Sequence, residues 1–194
     1  MMSEEKELIA RLQNKDDDAW HQLVTLYYDR LLMFCGRYVV SRQEAEDLVH
    51  DTFFKAMVNI EKFDADRFSN IQPWLWQIAK TTSLMHIRHK NVRKGAPSSE
   101  PKTKLSTTMT ILKIMDESAG PRTEAHEKDK YEVLFSSLDK IDEIFREVIF
   151  LCYIDGLTRK QVAEVLNIPE NTVKSRLRIG LEKVRSALPT AMLG

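Results

Sequence analysis

Between Ala19 and Tyr38, apolar side chains recur at Leu23, Tyr27, Leu31, Phe34 and Tyr38, three or four residues apart. That is the period of an α-helix with a broad apolar face. Asp16–Asp18 precedes it as a cap for a helix opening at Ala19. Ser41 caps a second helix, whose buried side is marked by Ala45, Leu48, Val49, Thr52, Phe53, Ala56 and Ile60. Asp64–Ser69 reads as a polar loop, and Pro73 opens a third helix over 73–90. Together these elements predict an antiparallel helical bundle.

The pattern returns near the other end, in LTRKQVAEVLNIPENTVKSRLR, residues 157–178. Thr158 is placed to cap a short helix with Val162, Ala163 and Leu166 on its apolar side. Asn167 falls where the turn needs positive φ, which Asn tolerates. Ile168 fills the corner, and Pro169 suits the first turn of the next helix. There Val173, Leu177, Leu181, Val184 and Leu188 predict the buried stripe, and Gly180 weakens the pattern by about 1 kcal/mol against Ala. The whole reads as a helix-turn-helix, a motif that lays its second helix in the major groove of duplex DNA.

Between the two patterns the chain changes character. Residues 92–129 contain GAPSSEPKTK and a later Ser-Ala-Gly-Pro, a composition that cannot bury enough apolar surface to fold alone. One apolar island, MTILKIM at 109–115, is a possible docking segment. The predicted fold is therefore all-α: two small helical domains, 1–91 and 130–194, joined by a flexible linker, 92–129.

Composition narrows the chemistry. The 29 basic and 29 acidic residues give zero formal net charge, so any nucleic-acid surface must be local. Six Gly and six Pro are too few for a turn-rich all-β fold. Cys35 and Cys152 lie in apolar helical patterns and read as small buried hydrophobes, without a disulfide. The opening MMSEEKELIARLQ is acidic and amphipathic, unlike a signal peptide, and no apolar run reaches membrane-span length. A cytoplasmic location is expected. No P-loop, GxGxxG or HExxH stands in the chain. His86 and His89 lie three residues apart without a Cys or carboxylate nearby in sequence, so no metal or other cofactor is expected.

Three local charge patterns point to partners. From Pro169 to Ala187 the net charge is +3, and the face opposite Val173 carries Asn171, Lys174, Ser175, Arg178 and Glu182, with Glu170 and Thr172 near the helix start. Asn and Arg can pair bidentately with adenine and guanine edges. Asn171, Ser175 and Arg178 are the base-reading candidates; Lys174, Arg176 and Lys183 are phosphate candidates. The second helix of the first block is acidic outside, with Glu44, Glu46, Asp47 and Asp51. Acid near a helix start also suits the helix dipole, so this face is either local stabilisation or a dock for a basic partner. From Gln72 to Lys94 there are five bases and no acid, with Trp74 and Trp76 beside the loop. Basic charge next to aromatics suits unstacked nucleic acid. Trp74 reads as core; Trp76 lies on another side and reads as a base-stacking candidate. Three other classes compete: an operator-binding regulator, an enzyme, and a pure interaction protein. The first leaves the acidic helix and the basic third helix without a purpose.

The order of motifs is EAEDLVHDTFFKA (44–56), FSNIQPWLWQIAK (68–80), a linker, then the helix-turn-helix. This order resembles the extracytoplasmic-function (ECF) group of bacterial RNA polymerase sigma factors, over nearly the whole chain apart from the linker centre. The resemblance implies a sigma-2 domain whose acidic helix docks on the coiled-coil of the polymerase β′ subunit through Asp47, Leu48, Asp51, Thr52 and Phe53. It implies that the loop and third helix open the −10 promoter element and read it as a single strand. The positions carried over there are Asp64, Phe68, Asn70, Trp76, Lys80 and Arg88. It implies a sigma-4 domain that reads the −35 element as duplex and touches the polymerase β flap. The linker is then expected to thread the enzyme and to be disordered without it. A cognate anti-sigma factor is a further expected partner. Thr81 and Met85 stand where members often carry Asn and Asp, so the family's −10 preference is not carried over. Met57 replaces a common aromatic, Leu138-Asp139 a usual Leu-Pro, and Asn167 a frequent turn Gly.

Overall fold

The computed structural model describes residues 2–64, 66–93, 133 and 135–188. The described residues form helices and turns without a strand, in two compact units lying within Met1–Lys104 and Leu105–Gly194. The expected linker from residue 94 onward, with its 109–115 island, lies outside the described residues.

The first unit is a bundle of α1 (Met2–Gln13), α2 (Asp17–Gly36), α3 (Arg42–Asn59) and α4 (Ile71–Arg93), with a 3-10 turn at Ile60–Lys62. Asp16 caps α2 by accepting from the Ala19 amide at 3.1 Å, so the helix opens at Asp17 rather than Ala19. The other Asp16 oxygen accepts from Arg11 Nε at 2.7 Å, which ties the end of α1 to the start of α2. Ser41 caps α3 through the Glu44 amide at 3.2 Å. α4 starts at Ile71, two residues before Pro73. Pro73 still sits in the first turn, where a missing N–H costs nothing. Leu23, Leu31, Leu48, Leu75 and Trp76 fill the core between α2, α3 and α4.

The second unit holds a helical turn at 135–138, α5 (Glu143–Ile149) running into a π-helical turn (Phe150–Ile154), α6 (Arg159–Leu166) and α7 (Glu170–Ala187). Phe135 stacks on Phe150 with ring centroids 5.9 Å apart. Asp139, at the unusual Leu-Asp pair, accepts from Arg146 at 3.0 Å and so fastens this turn to α5. Thr158 and Gln161 form a reciprocal capping box: Gln161 N donates to Thr158 Oγ1 at 3.3 Å, and Thr158 N donates to Gln161 Oε1 at 2.8 Å. Asn167 adopts φ 53, ψ 48, the left-handed conformation that the sequence demanded.

Some local expectations shift. α6 buries Gln161, Val162 and Val165, whereas Ala163 and Leu166 are half-buried. Pro169 is the cap of α7, one position before the helix. The buried line of α7 is Val173, Gly180 and Val184, flanked by half-buried Leu177; Leu181 is exposed. Gly180 is therefore a contact point instead of a weak spot. A Cβ there would lie 3.0 Å from Ile149 Cδ1 and 3.1 Å from Phe145 Cβ. The absent side chain lets α5 and α7 approach closely.

Candidate nucleic-acid interface

α7 turns its outer face away from α5 and α6. Asn171, Lys174, Ser175 and Arg178 are exposed on it, and Thr172 and Arg176 are half-buried at its edge. Glu170 is exposed at the first turn. At about 100° per residue, Asn171, Ser175, Arg178 and Glu182 fall in one line. Arg178 Nη1 donates to Glu182 Oε1 at 2.9 Å, so the guanidinium is held lengthwise along the helix. Ser175 Oγ donates to the Thr172 carbonyl at 3.0 Å, leaving its oxygen able to accept. Lys183 departs from this group. Its Nζ lies 3.2 Å from Asp142 Oδ2 and 5.5 Å from the Phe145 ring centroid, so it fastens α7 to α5. It remains exposed on this flank of the helix, outside the line of Asn171, Ser175 and Arg178.

In the first unit, the loop between α3 and α4 is shaped from within. Asp64 Oδ1 accepts from the amides of Asp66 and Arg67, at 2.8 and 3.2 Å. Asn70 Oδ1 accepts from the Gln72 amide at 3.2 Å and caps α4. Phe68 is buried, stacked on Phe63, which meets Trp74 edge-on. Asp64 and Asn70 thus build the loop, and Phe68 anchors it instead of reaching bases. Trp76 is likewise corrected. It is 0 % exposed, packed against Tyr27 and Phe34, with the Arg30 guanidinium 5.2 Å from its ring centroid. An i, i+2 step from Trp74 turns it to the α2 side, against Tyr27 and Phe34.

What remains open beside the loop is a groove of about 390 Å³ between the end of α3 and α4. Lys55, Lys62, Trp74, Gln77, Thr81 and Met85 line it. Arg88 is exposed beside this face, whereas Lys80 is half-buried about 160° round the helix from Ile78. Sequence reasoning missed Lys55, Lys62 and Gln77, because α3 and α4 meet only in three dimensions. A larger groove of about 720 Å³ follows α3 and α4 further along. There Glu44 is paired with Lys90, and His86 Nε2 stands 3.8 Å from Glu44 Oε1. The fold thus brings a carboxylate to a histidine that has none nearby in sequence. Burial raises the Glu44 pKa, but the Lys90 contacts outweigh it and hold the carboxyl below its ordinary 4.5. Among the described residues no group of three His, Cys, Asp or Glu could hold a metal ion.

The acidic helix also sorts itself by side. Leu48, Thr52 and Phe53 are buried, with Thr52 Oγ1 donating to the Leu48 carbonyl at 2.7 Å. They hold the helix in the bundle and offer no surface, which corrects their expected place in a docking contact. Glu46 is engaged by Arg42 at 2.8 Å. Facing solvent are Asp47, Asp51, Phe54, Met57 and Val58. Phe54 is 61 % and Val58 62 % exposed, and both continue the line of Asp47 and Asp51 at helical spacing. The sequence pattern hid Phe54 beside Phe53; about 100° separates them on the helix, and the bundle covers only the Phe53 side.

Two family models match this chain: Sigma-70 region 2 over residues 23–93 and Sigma-70, region 4 over residues 137–186. The ECF RNA polymerase sigma factor SigW of Bacillus subtilis is 30% identical over 183 residues, covering 94% of this chain and 96% of that protein. The chain belongs to the ECF RNA polymerase sigma factors. The ECF RNA polymerase sigma-E factor of Haemophilus influenzae is 25% identical, covering 95% of each chain. Two solved structures share the fold. One is CnrH in complex with the cytosolic domain of CnrY, at TM-score 0.65 and 21% identity, covering 94% of this chain and 95% of that one. The other is the sigma factor RpoE in complex with the anti-sigma factor NepR from Bartonella quintana, at TM-score 0.60 and 19% identity, covering 86% of this chain and 94% of that one. The region 2 match runs from Leu23, within α2, to the end of α4, and the region 4 match takes in α5, α6 and all but the last residue of α7. The family consists of transcription initiation factors rather than enzymes.

Proposed function

We propose that this sigma factor docks on core RNA polymerase through the outer ridge of α3 and delivers it to promoters with paired −35 and −10 elements. The observation that carries the reading is the ridge itself. Asp47 and Asp51 are followed by Phe54, Met57 and Val58, exposed and uncovered by any neighbouring helix of the unit. A regulator that only binds duplex DNA has no use for such a surface. Apolar side chains rimmed by acid suit a basic helical partner, with burial supplying affinity and charge supplying orientation. The β′ coiled-coil is the partner this fits.

Asn171, Ser175 and Arg178 of α7 read base edges in the −35 major groove, and Lys174 and Arg176 set the register on phosphate. The 390 Å³ groove takes an unstacked −10 base, with Trp74 and Met85 as apolar walls and Lys55 and Lys62 for the backbone. Asp64 and Asn70 act by shaping the loop, and Arg88 follows the strand away from it. Unstacking costs a few kcal/mol per step, and a captured base offsets part of that. The β flap is the contact proposed for the second unit. The site of action is the cytoplasm; no helix among the described residues is long and apolar enough to cross a membrane. An anti-sigma factor is the proposed inhibitor, by analogy with the complex of RpoE with the anti-sigma factor NepR.

The test is co-purification with core polymerase, followed by transcription from a promoter pool. The expected result is stoichiometric binding and new start sites sharing one upstream motif. Phe54→Asp should abolish co-purification while leaving the fold intact. Tight duplex binding by the chain alone, without polymerase binding, would replace this reading by that of an operator-binding regulator.

A further inference from the structure

We infer that α1 is a brace that holds both flanks of the strand-reading loop, with Glu5 as its positioning residue. The inference rests on the proposed reading of the −10 strand by that loop. The loop leaves the Ile60–Lys62 turn and ends at Ile71. α1 packs against the first flank, the Ile60–Lys62 turn. It also reaches the second: Glu5 Oε1 accepts a hydrogen bond from the Ile71 amide at 3.0 Å, across 66 residues of sequence.

A helix start leaves four amides without intrahelical partners. In α4, Pro73 has no amide N–H to satisfy, and Asn70 takes the Gln72 amide. The Ile71 amide is taken by a side chain from another helix, and that side chain is a carboxylate at the positive end of the dipole. A hydrogen bond to a charged acceptor is worth roughly twice a neutral one. The brace can bear load because its far end is fixed. Leu12 is fully buried, and Arg11 holds Asp16 at 2.7 Å at the start of α2. Asp64 and Asn70 set the loop's shape through local bonds, Phe68 anchors its middle on Phe63, and its place at the α4 end is held from α1. Glu5 sets that place at the α4 end, and with it the mouth of the groove lined by Lys62 and Trp74.

The test uses holoenzyme reconstituted with core polymerase. Its probes are the single-stranded non-template −10 oligonucleotide of a promoter found by the transcription assay, and the matching −35 duplex. Glu5→Ala is expected to weaken oligonucleotide binding about tenfold, with polymerase and −35 duplex binding unchanged. Glu5→Gln keeps an acceptor oxygen and should restore most of the loss. In the free protein, amide hydrogen exchange at Ile71 and across 66–70 should quicken in Glu5→Ala alone. Equal oligonucleotide binding with unchanged exchange overturns the brace, as does a loss shared equally by polymerase binding. Failure of the wild-type holoenzyme to hold the oligonucleotide overturns the strand-reading proposal instead, and the exchange measurement then still decides what Glu5 does.

Discussion

Arg178 and Glu182 show how one acid can serve a basic surface. Both are well exposed, so their pair contributes little to stability. In the proposed −35 contact its effect is on geometry, since a guanidinium already held along the helix has less freedom to lose on meeting a base edge. Arg178→Ala is expected to relax −35 specificity at one base pair, by about 1–3 kcal/mol of discrimination. Equal loss on all duplex sequences, in a competition assay, would make it a phosphate contact. Lys90 offers a test of a different kind. It holds the Glu44 carboxyl below its ordinary pKa of 4.5, so the pair's stabilisation is present above that value and lost as pH falls through the folded value. Lys90→Gln should be less stable than wild type in urea at pH 7, and the difference should shrink as pH falls below 4.5. A difference independent of pH throughout the acid limb would mean that Lys90 contributes by packing alone.

At the scale of the element, α7 carries the clearest conflict between local preference and packing. Helix propensity alone favours Gly180→Ala by about 1 kcal/mol. The new methyl would press on Phe145 Cβ at 3.1 Å, an atom fixed to backbone, and on Ile149 Cδ1 at 3.0 Å. Overpacking of this kind costs about 1–3 kcal/mol. Gly180→Ala should therefore lower the denaturation midpoint of the second unit; a higher midpoint would show that α5 can yield. α6 has the opposite character, with its local signals in agreement. Thr158→Ala removes one half of the capping box and should cost about 1 kcal/mol, read as a lower thermal midpoint for the same unit. α3 shows element and interface joined: the Leu48, Thr52 and Phe53 side holds it in the bundle, so the Asp47, Asp51 and Phe54 side is presented rigidly.

Over the whole molecule, zero net charge divides into a basic stripe on α7, an acidic ridge on α3 and a base-rich α4. Each unit alone has a small contact surface. A tether makes the second contact intramolecular, so two weak sites act together. Splitting the chain within 94–129 should leave the first unit able to bind polymerase through α3. Promoter-directed initiation should fall steeply and return only in part when both pieces are mixed. Full activity from the mixture in a transcription assay would show that the tether adds nothing.

Periodicity, capping and turn chemistry act over three to seven residues, and so the all-α class, the Ser41 and Thr158 caps, left-handed Asn167 and the outward face of α7 were all legible in the residues. The basic stripe was legible for the same reason. Which side of a helix meets which neighbour depends on chain that is distant in sequence. Trp76 carried the aromatic signal of a nucleic-acid surface and Phe68 stood at a position the resemblance carried over, yet the bundle used both as core. Leu48, Thr52 and Phe53 matched a docking motif, yet Phe54 is the residue left outside. Gly180 looked like a flaw until α5 was placed against it. Lys55 and Lys62 joined Trp74 at one groove, and Glu5 reached Ile71, only because α1, α3 and α4 were brought together by burying a shared core. Local interactions choose the helices; the removal of apolar surface from water chooses their faces, and the faces decide which side chains are left to meet a partner.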